Sequence, residues 1–144
     1  MNVKDFDKKY NAKKMDGAVR ASMKLENLEK PFDFHSLYGS LSSELRYINA
    51  TSTDGYLILF FIPISWGKGS HVLEPHSEVI KFEPGKEIPP ERLWYAQRGK
   101  ISITDSTDNN FQGTFVCYES SDTTKDRPAL TGGNFRINFN SADK

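Results

Sequence analysis

The sequence predicts an all-β protein, a single domain of about eight antiparallel strands arranged as a barrel or a β-sandwich. Apolar and polar residues alternate through most of the chain, which is the period of a strand with one buried face. Clusters of Gly, Asp, Asn and Ser separate these segments at short intervals, as turns do. The chain has 144 residues, which is enough for one domain with its own core.

Residues 1–16 are predicted to be a flexible charged lead-in, and residues 17–140 the folded domain. The lead-in mixes lysine, aspartate and asparagine and lacks the apolar run of a secretory signal. We therefore expect the chain as written to stay in the cytoplasm, or to be exported if a signal peptide has been removed from its start.

The first two elements follow the lead-in. Residues 17–27 are predicted to be a half-buried strand, because alternate residues from Val19 to Leu25 are apolar. Pro31 is expected to break the pattern. Residues 36–48 fit both a helical stripe capped by Ser36 and a strand, and Gly39 and the serines favour the strand.

A hairpin is predicted at Asp54–Gly55, a favoured tight-turn dipeptide. It leads into the continuous apolar run of residues 56–64, which indicates a strand covered on both faces. The run is about half the roughly 20 residues that a membrane-spanning helix requires, so no membrane span is expected.

The remaining strands are shorter and follow one another closely. Two are predicted at 69–75 and 77–85, and three more at 94–105, 111–119 and 132–140. Residues 86–93 are a predicted loop, because two consecutive prolines supply no backbone donors. The polar segments 105–110 and 120–133 are predicted turns.

Composition excludes several classes of function. Lys and Arg together number 19 and so do Asp and Glu, so no positive field favours nucleic acid. The single cysteine, Cys117, alternates with apolar residues and is predicted to be a buried, inert thiol. No nucleophile elbow surrounds any serine, and we therefore expect no enzymatic activity.

The densest group of chemically functional side chains lies in residues 64–78, ISWGKGSHVLEPHSE. Aromatic rings beside loops can stack on sugars or flat apolar ligands, and neighbouring polar groups can orient them. The ligand-binding residues predicted on this basis, here and after the proline loop, are Trp66, Lys68, His71, His76, Trp94 and Tyr95.

The two histidines of this segment, His71 and His76, are candidate metal ligands, since Glu74 lies between them and Glu78 follows. Residues five apart on a strand face opposite sides, and Pro75 interrupts the strand. We therefore expect neither a metal nor another cofactor. The GKGS segment is interpreted as a turn, because no helix follows it to form a phosphate-binding loop.

The later strands resemble small, uncharacterised bacterial β domains described as calycin-like, which are often lipoproteins. The matching positions are Gly99 to Thr104, GTF at Gly113 to Phe115, and TGGNF at Thr131 to Phe135. The segments GYLILFFIP and GKGSHVLEP are similar to earlier strands of that group. The resemblance implies a calycin-like fold and no catalytic residues, and the signal and lipobox cysteine of the lipoproteins are not seen here.

Together these features predict a non-enzymatic binding module that takes a small apolar or saccharide ligand through loops at one end of the barrel. Those loops are residues 66–76, 89–95 and 120–132. One alternative is a protein partner, as for an immunity or adaptor protein. Another is a hydrolytic or metal-dependent enzyme that uses His71, Glu74 and His76.

Overall fold

The computed structural model describes residues 3–25, 28–53, 55–83, 94–107, 109–120 and 128–139. A short helix, α1 (Val3–Lys9), comes first. The strands are β1 (Lys13–Lys14), β2 (Asp16–Leu25), β3 (Leu28–Leu41), β4 (Leu45–Ser52), β5 (Leu57–Pro63), β6 (Gly69–Leu73), β7 (Ile80–Glu83), β8 (Trp94–Tyr95), β9 (Arg98–Ser106), β10 (Asn110–Tyr118) and β11 (Ala129–Asn138). Among the described residues, no helix combines the length and the apolar character that crossing a bilayer requires.

One antiparallel sheet contains all of these strands. Their order is β6-β9-β10-β11-β2-β3-β4-β5-β7-β8, with β1 paired to β3. The sheet curls strongly into a half-barrel. The all-β class predicted from the sequence is thereby confirmed.

Residues 94–106 pass from β8, at one end of the strand order, to β9, which pairs with β6 at the other end. Ala96 N–H donates to the carbonyl of Ile80 in β7, and Gln97 N–H donates to the carbonyl of Tyr118 in β10. The extended segment therefore changes partners between β8 and β9. This exchange explains why one long predicted strand, residues 94–105, is observed as two.

The concave side of the sheet holds the main core. Alternate side chains from the strands point inward, as the two-residue period requires. Four of its aromatic rings, those of Phe60, Phe111, Phe115 and Phe135, lie within 6.4 Å of one another in contacting pairs. These rings belong to one continuous cluster of buried apolar side chains among the described residues.

A second, smaller cluster lies on the convex side of β4 and β5. Tyr47, Leu57 and Leu59 are buried there, under Phe6 and Tyr10 of the N-terminal segment. The predicted burial of both faces of the 56–64 strand is thus confirmed. The charged lead-in predicted over residues 1–16 contains the helix that covers the outer face.

Some predicted boundaries were wrong. Pro31 does not end a strand, because β3 runs through it and pairs Pro31 with Ser22. The pairing of β3 with β4 starts only at Phe34. On that side of β3, therefore, no ladder requires an N–H from Pro31.

The remaining boundaries differ less. Residues 36–48 are strand as favoured, although a turn at 42–44 separates β3 from β4. The turn at Gly55 is present, with Gly55 N–H donating to the carbonyl of Ser52. β11 begins earlier than the predicted strand, at Ala129. Asp54 and the predicted loop 86–93 lie outside the described residues, as do residues 121–127.

Candidate functional site

The aromatic rings of Trp66 and His71 stack on one another. Their ring centroids are 4.6 Å apart and the planes differ by 5°, while His71 Nε2 lies 2.7 Å from the carbonyl oxygen of Gly67. Trp66 is half-buried and packs on the main core. One face of the indole is therefore already covered, and Lys68 beside it is exposed.

A buried arginine holds the turn that carries Trp66. Arg46 is 7% exposed and donates to the carbonyls of Pro63 and Trp66 at 3.0 and 3.1 Å. It also donates to Ser106 Oγ at 2.9 Å, and its guanidinium lies 4.5 Å from the centre of the Phe111 ring. Desolvation by burial lowers the pKa of Arg46.

The second histidine belongs to a different group of residues. His76 donates its backbone N–H to Gln97 Oε1 at 3.0 Å, and Gln97 Nε2 donates to the Tyr95 carbonyl at 3.4 Å. His71 instead pairs with Ile101 in β9. Ile101 is four positions after Gln97, which corresponds to roughly 13 Å of extended chain.

The predicted residues therefore divide between two places. Trp66 and Lys68 precede β6 and His71 lies within it, whereas His76 lies in the turn before β7 and Tyr95 lies in β8, which pairs with β7. Within the described part of the chain, no three His, Cys, Asp or Glu side chains come together as metal ligands. The backbone of Trp94 pairs with Phe82, and its side chain is outside the description.

The helix α1 is anchored to the sheet by a carboxylate. Asp7 Oδ1 accepts a hydrogen bond from the hydroxyl of Tyr47 at 2.6 Å, and Asn49 Nδ2 donates to both carboxylate oxygens at 3.1 and 3.2 Å. Tyr47 and Asn49 are buried. The three bonds compensate the burial of these polar groups.

Aromatic packing completes the attachment of the helix. Phe6 contacts Phe61 edge-on at 5.1 Å, and Tyr10 stacks on Tyr47 at 4.9 Å. The buried ammonium of Lys81 lies 5.4 Å from the Phe6 ring and 5.5 Å from the Tyr95 ring. These distances allow a cation–π interaction on both sides.

Alongside the docked helix runs an open cleft of about 330 Å³. Its aromatic lining comes from Phe6, Tyr10, Phe61 and Tyr95, and its polar lining from Lys9, Ser77 and Glu78. The volume falls at the lower end of the roughly 300–1,000 Å³ typical of ligand pockets. An apolar surface with a few convergent polar groups can hold a ring that carries hydroxyl substituents.

The polar wall of this cleft has an unusual backbone. His76 and Glu78 adopt positive φ angles of 64° and 58°, a region in which residues other than glycine are uncommon. Ser77 between them donates its N–H to the Glu74 carbonyl at 3.2 Å. Such conformations cost of order 1–3 kcal/mol each and cluster at functional sites.

Among the described residues that line the cleft, Tyr95 alone belongs to the ligand-binding set predicted from the sequence. Three lining residues lie in the predicted lead-in, namely Phe6, Lys9 and Tyr10. The many charged residues of that segment led to a prediction of flexible chain, whereas residues 3–9 form a seven-residue helix. The i and i+4 spacing of Phe6 and Tyr10 was the available signal for a helical apolar side. Phe61 was predicted as strand, without an indication that its outer face borders a cleft.

Cys117 has the environment of a structural thiol. It is fully buried in β10, and burial raises its pKa against the smaller opposing effect of a backbone hydrogen bond at Leu130. A thiol with a raised pKa is a poor nucleophile at neutral pH.

No protein-family model, curated protein or solved structure matches this chain.

Proposed function

We propose that this protein is a non-enzymatic binding module that holds a small saccharide in the cleft beside α1. The observation that carries the proposal is the convergence of four aromatic rings with Lys9, Ser77 and Glu78 around an open space of about 330 Å³. The ligand class agrees with the sequence prediction. The location differs, because the cleft lies on the convex side of the sheet.

The chemistry of the lining favours a saccharide over a purely apolar ligand. Aromatic faces pack against the C–H side of a sugar ring, while a carboxylate and a hydroxyl accept hydrogen bonds from its hydroxyl groups. Lys9 adds a donor on the helical side, and Glu78 adds an acceptor on the sheet side. A purely apolar ligand would make no use of these polar groups.

The backbone of the turn supports a binding role as well. Two left-handed positions, His76 and Glu78, lie on either side of Ser77 in the turn that lines the cleft, and they carry a conformational cost. The Trp66–His71 pair supports such a role less, because a sugar that stacked on the covered face of Trp66 would have to displace the imidazole.

The proposal is tested by saturation-transfer difference NMR on the full chain. The probes are glucose, galactose, N-acetylglucosamine and the disaccharides cellobiose and lactose. Transfer to at least one sugar is expected, with a dissociation constant in the millimolar to micromolar range of small ligands. Absence of transfer from all five sugars would refute saccharide binding.

A pair of variants locates the binding site. Glu78→Ala removes a carboxylate that lines the cleft, while Glu74→Ala removes one from the same turn that does not line it. We expect Glu78→Ala to weaken binding about tenfold and Glu74→Ala to leave it unchanged. Equal effects of the two variants would remove the cleft as the site.

A further inference from the structure

A second groove lies on the convex face of strands β2, β9, β10 and β11, away from α1. The strand register places polar residues of β10, β11 and β2 in a single row there. Thr114 pairs with Asn134, and Asn134 pairs with Arg20. Hydroxyl, amide and guanidinium groups thus follow one another at the strand spacing of roughly 4.8 Å.

Two arginines flank the groove, which has a volume of about 350 Å³. Arg136 pairs with Ala18, and Arg20 pairs with Asn134, two positions further along. The two arginines are therefore diagonal neighbours, with Cβ atoms about 7–8 Å apart. An anion that lies between them can accept hydrogen bonds from both guanidinium groups.

The other groups at the groove add donors. Gln112, Asn134, Thr104 and Thr114 line it together with the arginines, and none of its nine described lining residues carries a carboxylate. Arg20 Nε lies 2.9 Å from Asp33 Oδ1, and both side chains are more than half exposed. That pair occupies Nε, so the two terminal nitrogens of Arg20 remain able to bind a second group.

We infer that this groove binds a tetrahedral oxyanion, a phosphate or sulfate, either as the free anion or as the monoester group of a small molecule. Guanidinium groups bind such anions with paired, charge-assisted hydrogen bonds, and the amides and hydroxyls supply the remaining donors. The inference does not depend on the saccharide cleft, since the two sites share no lining residue.

The test measures thermal unfolding and isothermal titration calorimetry of the full chain at constant ionic strength. The ligands are inorganic phosphate, inorganic sulfate and methyl phosphate, none of which contains a sugar. A saturable rise in Tm with a matching calorimetric isotherm is expected, because a ligand that binds only the folded state stabilises it. Tighter binding of methyl phosphate than of phosphate would identify an organic monoester as the ligand, and equal binding would identify the free anion.

Matched variants separate a built site from general charge attraction. Arg136→Gln and Arg20→Gln remove an exposed cation at the groove, and we expect each to weaken binding about tenfold. Lys24→Gln removes one exposed cation from β2 outside the groove, and its affinity is expected to equal that of the unmodified protein. No saturable binding, or an equal loss in Lys24→Gln, would overturn the inference.

Discussion

At the scale of single residues, the clearest case of a polar group that supports the fold is Arg46. Its guanidinium is buried, yet it donates to two backbone carbonyls and one hydroxyl and faces an aromatic ring. Hydrogen bonds from a charged donor contribute more than neutral ones. Arg46 thereby ties the turn after β5 to the end of β9.

Replacing this arginine is expected to be costly. Arg46→Met keeps apolar contact with Phe111 but removes the arginine donor from the Trp66 carbonyl and leaves the Pro63 carbonyl with the Trp66 N–H, and we expect a loss of about 2–4 kcal/mol. Urea unfolding measures the change. Ser106→Ala removes only the neutral partner and should cost about 1 kcal/mol. Equal losses would show that the carbonyl bonds contribute little.

The buried thiol gives a second expectation at this scale. Because burial raises the pKa of Cys117, iodoacetamide should label the native protein at least about 100-fold more slowly than the urea-unfolded protein. Mass spectrometry over time measures both rates. Rapid native labelling would instead revive the enzyme hypothesis.

The same thiol links stability to pH. The folded pKa lies above the unfolded one, so the unfolded state loses its proton first, and stability falls as pH rises above about 8.5. Below that pH both states keep the proton and the contribution is complete. A Cys117→Ala variant unfolded in parallel should lack this part of the decline.

At the scale of elements, α1 shows how a short helix can depend on tertiary contacts. Seven residues are too few for a stable isolated helix in water. Its attachment comes from Phe6 and Tyr10 on the outer cluster and from Asp7 on two buried donors. The helix in turn provides one wall of the candidate cleft.

Removing the carboxylate should release the helix. Asp7→Ala leaves Tyr47 and Asn49 as buried polar groups without that acceptor, and we expect a loss of about 1–3 kcal/mol. Hydrogen–deuterium exchange of residues 3–12 should accelerate. Lys8→Ala, an exposed change on the same helix, should do neither. Unchanged exchange in Asp7→Ala would mean that the aromatic contacts suffice.

At the scale of the whole molecule, the curled sheet depends on close approach of strands near the exchange between β8 and β9. Gly99 has a φ of 142°, and a Cβ there would clash with the Val116 carbonyl oxygen. Gly69 has a similar φ of 125°, but a Cβ there would meet open space. A comparison of the two glycines therefore distinguishes the need for space at the Cβ position from the need for a positive φ angle.

Alanine at these positions tests that distinction. Gly99→Ala combines strain with a clash against backbone and should cost about 3 kcal/mol or more, whereas Gly69→Ala carries only strain of about 1–2 kcal/mol. Thermal unfolding of both variants measures the difference. Equal Tm values would show that β10 moves freely away from β9.

How much of this could be predicted depends on the range of the interaction. The strand 56–64 was predicted with both faces covered because its composition alone requires it. Its outer cover could not be predicted, since Phe6 and Phe61 are far apart in sequence. Trp66 and His71 were both predicted as ligand-binding residues, but their stacking on one another depends on the backbone of the intervening turn.

By itself, the sequence determined the all-β class, because the alternation of apolar and polar residues allows only a sheet to bury its apolar face. It also determined the buried state of Cys117. Only the tertiary structure decided that residues 94–106 exchange strand partners, that α1 covers β4 and β5, and that two candidate sites lie on the convex face. Those outcomes depend on contacts between residues distant in sequence, which local periodicity does not encode.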